Sequence, residues 1–216
     1  VSKYYPRIEI KKSNSQIMKK CFILLLGLSL LHFSCSQKKS KLEFNSESQE
    51  LNKKALQLIK EAKYDSALIL LDRAIEIDKE FYPAYQNKIF IYNNRQDYKN
   101  ALAVADQQVV INPQVAGAWV IYGMLNDVTG DSSKAIKCYK KGMSLFDDQS
   151  SKSAESMKNY KVNRAFILIL LGKDQDAKIA LQEFKLEYPN DLLVTQKIID
   201  GFESMTRNDF LKNFTK

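Results

Sequence analysis

The chain has 216 residues, 45% of them hydrophobic, with only seven glycines and four prolines. That is enough for one domain with a sizeable core, and it excludes extended low-complexity disorder. Its formal charge of +8 is concentrated at one end: residues 1–34 hold six Lys/Arg against one acid, and the remainder carries 27 bases and 24 acids, a balance of +3. A domain that tracks phosphates needs a dense basic stripe that neutralises many of them at once, so no nucleic-acid partner is expected.

At the start of the chain, Met18-Lys19-Lys20 precedes an apolar run from Phe22 to Leu31 that ends near Ser34-Cys35. A positive segment, a short apolar core and a small residue are the order of a signal peptide. The 12 residues from Phe22 to Phe33 fall short of the roughly 20 that cross a bilayer, so no permanent transmembrane helix is expected. Residues 1–17 read as an upstream mis-start, with Met18 where the signal begins. Cys35 after Ser34 resembles the lipidated cysteine of bacterial lipoproteins, although His32 and Phe33 stand where that pattern prefers Leu and a small residue. The resemblance implies removal of residues 1–34 and three acyl chains on Cys35, as diacylglycerol and a palmitate-like fatty acid. At about 0.8 kcal/mol per buried CH₂, more than one chain makes anchoring stable. The alternatives are an ordinary signal peptide or an uncut signal anchor, with Cys35 an incidental thiol. Residues 35–48, rich in Lys, Ser, Asn and Glu, read as a tether. Ser36 resembles residues that permit export, so the expected location is the bacterial cell envelope, lipid-anchored in the outer membrane and facing the periplasm.

Beyond the tether, Ala67, Ala101 and Ala135 stand 34 residues apart, each just past a polar turn: Lys63 to Ser66, Asp97 to Asn100, Gly130 to Lys134. A fixed period of that length marks stacked helical hairpins. In the second helix of the first unit, Ala67, Leu70, Leu71, Ala74 and Ile75 recur at three- and four-residue steps and share one face. Gly130 and Gly172 suit turns that need positive φ; Asp65, Asp97 and Asp131 suit bonds to nearby backbone; Pro83 suits a first helical turn. The units run 49–81, 82–115, 116–149 and 158–189. The fourth follows an eight-residue excess, Gly172 lying 42 residues beyond Gly130, which falls in Asp147 to Ser156 as a loop or helix extension. Residues 190–216 read as C-terminal capping helices, one around Leu192 to Ile199 and a short one from Asn208-Asp209, since a solenoid needs terminal elements with a polar outer face.

Trp119, Tyr122, Gly123, Gly130, Ala135, Tyr139 and Gly142 of the third unit resemble the tetratricopeptide repeat, as do Ala55, Tyr64, Ala67 and Ala74 of the first and Tyr85, Tyr92, Tyr98, Ala101 and Pro113 of the second. Ile89, Gln108 and Phe184 depart from it, putting larger residues where helices approach closely. The resemblance covers about residues 49–189 and implies an all-α, right-handed α-solenoid. It also implies a concave groove lined by helix-A positions: Gln86, Phe90 and Asn93 in unit two, Val120, Met124 and Asp127 in unit three, Val162, Phe166 and Ile169 in unit four. A partner peptide would bury side chains on Phe90, Met124 and Phe166, while Asn87, Asn93 and Asn94 bond its backbone. The competing reading packs Phe90 and Phe166 between helices. Chaperone-tail-binding members place Lys and Asn at groove positions; Gln86 and Phe90 stand there in unit two, so that specialisation is not expected.

Catalytic chemistry finds little support. The one histidine, His32, lies in the signal, which removes Ser-His-Asp and Cys-His systems and the usual zinc sites. There is no Gly-rich phosphate loop, and Cys21, Cys35 and Cys138 leave no disulfide once the signal is lost and Cys35 acylated. Cys138 reads as a small packed residue. Asp147-Asp148 and Asp174/Asp176 read as solvated turn carboxylates rather than acid–base pairs. Lys134, Lys137 and Lys141 make one basic face, a solvated surface or a rest for anionic headgroups. The expected function is therefore a membrane-tethered adaptor binding protein or peptide segments, with no enzyme activity, cofactor or metal and an undetermined oligomeric state. The alternative is an accessory lipoprotein subunit of an outer-membrane or pilus assembly complex.

Overall fold

Four turns with one hydrogen-bond pattern set the architecture of the computed structural model, which describes residues 44–150, 154–190, 202 and 205–214. In each turn the second residue beyond the helix cap donates its N–H five residues back: Lys63 to Leu58, Asp97 to Tyr92, Asp131 to Asn126 and Lys173 to Leu168, at 2.8–2.9 Å. The residue before it bonds three back, as Ala62 does to Ile59 and Gly130 to Asp127. This is the Schellman arrangement, which needs a left-handed residue. Gly130 and Gly172 supply it as expected, with φ of 98° and 71°; Ala62 and Gln96 supply it at 57° without being glycine. The turns then restart a helix, capped by the Asp97 carboxylate on the Asn100 N–H (3.1 Å) and Asp131 on Lys134 (2.9 Å). Asp65 does not cap backbone; it pairs with the Arg95 guanidinium at 2.8 Å.

The hairpins are α1 (Ser46–Lys60) with α2 (Tyr64–Ile77), α3 (Tyr82–Asn94) with α4 (Tyr98–Ile111), α5 (Ala116–Val128) with α6 (Ser132–Ser150), and α7 (Ala154–Leu170) with α8 (Asp174–Glu187). Each packs on its sequence neighbours, making an all-α solenoid. The eight-residue excess lengthens α6 and α7 to 19 and 17 residues. Residues 44–48, expected in the tether, belong instead to the first hairpin: Asn45 caps α1, accepting from the N–H groups of Glu47 and Ser48, and Phe44 packs edge-on against Phe81 and Tyr82. Cys35, the signal segment and the helix expected around residues 192–199 lie outside the described residues.

Small residues sit where helices touch. Ala67, Ala101, Ala135 and Ala177 are at most 1% exposed. The departure at Ile89 is matched by the facing helix. Residues sixteen apart form one layer of each hairpin: Ala55 with Leu71, Gly123 with Tyr139, Ala165 with Leu181, and, with large and small exchanged, Ile89 with Ala105, all buried. Total volume per layer is held while the bulky partner changes sides, the condition for dense packing. Gln108 is fully buried with neither amide atom hydrogen-bonded.

The last described helix, α9 (Arg207–Phe214), begins near the expected Asn208-Asp209. Thr206 and Asp209 close a reciprocal cap: the Thr206 N–H donates to the Asp209 carboxylate (3.1 Å) and the Asp209 N–H to the Thr206 hydroxyl (3.2 Å). It packs on α5 and α7, the first helices of units three and four.

Candidate functional site

The first helices of the hairpins, α1, α3, α5 and α7, carry the residues expected to line the concave face, and the structure divides them into two halves. Over units one and two the face is polar and partly open. Asn87 donates its side-chain amide N–H to the side-chain oxygen Oδ1 of Asn52 at 2.7 Å in a buried bond, and Gln86 beside it is buried. Leu56 and Phe90 are half-buried, Phe90 resting against the cores on both sides. Asn94 is exposed, its amide donating to the Phe90 carbonyl at 2.9 Å within its own helix. Asn93 is half-buried, with both amide atoms shielded and without hydrogen bonds.

Over units three and four the same register is covered. Val120, Met124, Asp127, Val162, Phe166 and Ile169 are each at most 8% exposed. Phe166 stacks on Phe202 and meets Phe210 of α9 edge-on, both at 5.3 Å between ring centres. Such pairs add about 0.5–1.5 kcal/mol beyond area burial. The Asp127 carboxylate, its side chain fully shielded, accepts from the Tyr139 hydroxyl at 2.8 Å and from the Arg207 guanidinium at 2.6 Å. Burial, and next the carboxylate beside it, hold the Tyr139 phenol well above its ordinary value, so it remains a donor.

Three expectations are corrected by this geometry. Met124 and Phe166 are core rather than open anchors, because α9 and Phe202 lie over the positions that stacking alone would leave bare. Val120, Val162 and Ile169 are buried in the same cluster. Asp127 is not a free groove carboxylate but the buried tie between α5, α6 and α9. The structure brings Gln86, Asn87, Phe90, Asn93 and Asn94 together on α3, as the register required. Asn52 and Leu56 were missed, although they precede and follow Ala55 as Gln86 and Phe90 do Ile89. Arg207, Phe202 and Phe210 were missed because no periodicity links them to Asp127 or Phe166.

Little here suits chemistry. Among the described residues no three His, Cys, Asp or Glu side chains cluster as a metal site would. Cys138 is 4% exposed and burial pushes its thiol up, the opposite of an activated nucleophile. Lys134, Lys137 and Lys141 are exposed, with the Lys134 ammonium 4.6 Å above the Tyr122 ring. No described helix is long and apolar enough to cross a membrane.

No family model matches the chain, and no curated protein matches it. Solved structures do. A tetratricopeptide repeat protein from Parabacteroides merdae ATCC 43184 is 15% identical and similar over 94% of this chain and 77% of its own, with a TM-score of 0.51. MamA from residue 41 to its end, from Desulfovibrio magneticus RS-1, is 18% identical over 81% of this chain and 97% of its own, at 0.45. The first tetratricopeptide repeat domain of Spaghetti (RPAP3), solved bound to an HSP90 peptide of sequence SRMEEVD, is 17% identical over 57% and 95%, at 0.43. At these identities the likeness is one of fold, and the chain is a tetratricopeptide-like helical solenoid.

Proposed function

We propose that the chain is a protein–protein interaction scaffold that holds a segment of an envelope protein on its concave face, tethered to a membrane through acylated Cys35. One observation carries the binding half of this reading: the face already receives a helical segment, the chain's own α9, through an aromatic contact on Phe166 and a cation on Asp127. A surface that orders one amphipathic helix by these means has the shape and chemistry for a peptide. The half over units one and two, with Leu56 and Phe90 half-buried and Asn94 exposed, is where a partner has room. The exposed Asn94 amide there offers its oxygen and a second N–H to an extended backbone, while the two apolar side chains supply burial. The tethering half rests on the Lys-apolar-Ser-Cys order alone.

A photo-crosslinking residue at Asn94 of the full chain, in native membranes, tests the binding surface, with Val110, 72% exposed on α4, as the control. A partner captured from Asn94 and not from Val110 is expected; equal or stronger capture from Val110 would move the surface to the outer helices. Recovery of one stoichiometric complex in that experiment would favour the accessory-subunit reading. Metabolic fatty-acid labelling tests the anchor. Undiminished labelling of Cys35→Ala would overturn it.

A further inference from the structure

The half of the concave face over units three and four is built around a buried carboxylate that requires a cation. Asp127 has no solvent to fall back on, and the Tyr139 hydroxyl satisfies only one of its oxygens. A shielded carboxylate left with a single neutral donor is a costly arrangement, so whatever occupies this half must bring a positive group to the other oxygen. The present occupant does so imperfectly. Arg207 reaches Asp127 through one terminal nitrogen, and its Nε is shielded without an acceptor, whereas a guanidinium aligned with a carboxylate makes two parallel bonds. The occupant is also slight. α9 is eight residues long, too short to hold its helix without tertiary support, and Asn208, Asp209 and Lys212 on its outer side are exposed.

We propose that α9 is a resident, exchangeable ligand of a helix-binding groove over units three and four, and that the partner which replaces it is an amphipathic helix presenting an arginine to Asp127 and an aromatic residue one turn later to Phe166. The spacing is read from the occupant: Arg207 and Phe210 are three apart and so lie on one helical face. This deepens the scaffold reading and rests on it. A partner must outcompete α9, so the apparent affinity of the closed chain is reduced by the small fraction of molecules in which α9 is released.

A fluorescent synthetic peptide of residues 202–216 is the probe, added to the full chain and read by anisotropy. Arg207→Ala with Phe210→Ala weakens the resident helix, and this double variant should bind the peptide at least tenfold more tightly than the unaltered chain. Adding Asp127→Asn should cancel the gain, since an amide has no charge for arginine. Equal binding by the unaltered and double-variant chains, or binding indifferent to Asp127→Asn, would overturn the proposal. Should the double variant fail to fold by circular dichroism, hydrogen exchange on the unaltered chain decides. Amides of α9 should then exchange at least tenfold faster than those of α5, and equal protection would mean that α9 opens only with its unit and is not exchangeable. Capture from Asn94 is unaffected by these outcomes, so failure here leaves the scaffold reading separately testable.

Discussion

Replacing Gly123 by alanine would place a methyl carbon 2.5 Å from Cε1 and 2.7 Å from Cδ1 of Tyr139, and 3.1 Å from the Ala135 carbonyl oxygen. Carbon atoms rest at about 3.5–4.0 Å, so the ring must retreat by about 1 Å. It has nowhere to go: Tyr139 is fully buried and its hydroxyl is held on Asp127. Alanine returns about 0.8–1.0 kcal/mol of helix propensity, while overpacking a constrained core costs about 1–3 kcal/mol. With both neighbours fixed, the upper end of that range applies and the net loss is about 2 kcal/mol. Urea unfolding followed by the single tryptophan, Trp119, which sits in α5 with Gly123, reads this directly. At a slope of about 2 kcal/mol per molar the midpoint should fall by about 1 M. Tyr139→Leu in the same chain recreates the alanine–leucine layer of Ala55 with Leu71, so the double-mutant cycle should show a favourable coupling of about 1–3 kcal/mol. A midpoint that rises in Gly123→Ala, or strictly additive losses, would show that the two side chains do not share this layer.

Three further outcomes are expected. Ala62→Gly and Gln96→Gly should each stabilise the chain by about 1 kcal/mol in thermal melts, because an L residue held at φ 57° loses about that much and glycine does not; a lowered melting temperature would contradict it. Cys138, buried and with its thiol pushed up, should resist alkylation at pH 8 in the native chain and react fully in urea, as mass spectrometry will show; rapid native labelling would mean that α6 opens locally. The Tyr139 phenol, raised in the folded chain by burial and by Asp127, stays protonated when the unfolded phenol ionises near pH 10. Its contribution is therefore complete below that pH and lost above it, so stability should decline on the alkaline side and decline less steeply in Tyr139→Phe.

The repeat was legible because it is local. Period, turn and helix face all follow from residues within about 34 positions of one another, and Pro83, Gly130 and Gly172 stand where their backbones are needed. Ala62 and Gln96 were not legible as left-handed, because the hydrogen bonds of the turn impose that conformation and any residue that tolerates it will serve. The odd residues of unit two misled for a related reason. Ile89 looks too large only when its position is read alone; read with Ala105, sixteen residues on, it completes a layer of ordinary volume.

The concave face was half legible, and Asp127 shows why. Register alone assigns it to the groove, as it assigns Asn93 one unit earlier. What separates them is Arg207, eighty residues away, whose return buries one position and leaves the other partly open. A buried acid inside a solenoid is too costly to persist without such a partner. Its place near the end of a mostly apolar helix was therefore the one local sign that a distant cation had to arrive. By the same logic, exchanging the pair to Asp127→Asn with Arg207→Gln should preserve the fold better than Arg207→Gln alone, since two amides can bond each other while a lone buried carboxylate cannot be satisfied by Tyr139. Melting temperatures of the single and double variants test this. A double variant no more stable than Arg207→Gln would mean that Asp127 is hydrated when α9 is loosened, and that the carboxylate does not dictate what may occupy the groove.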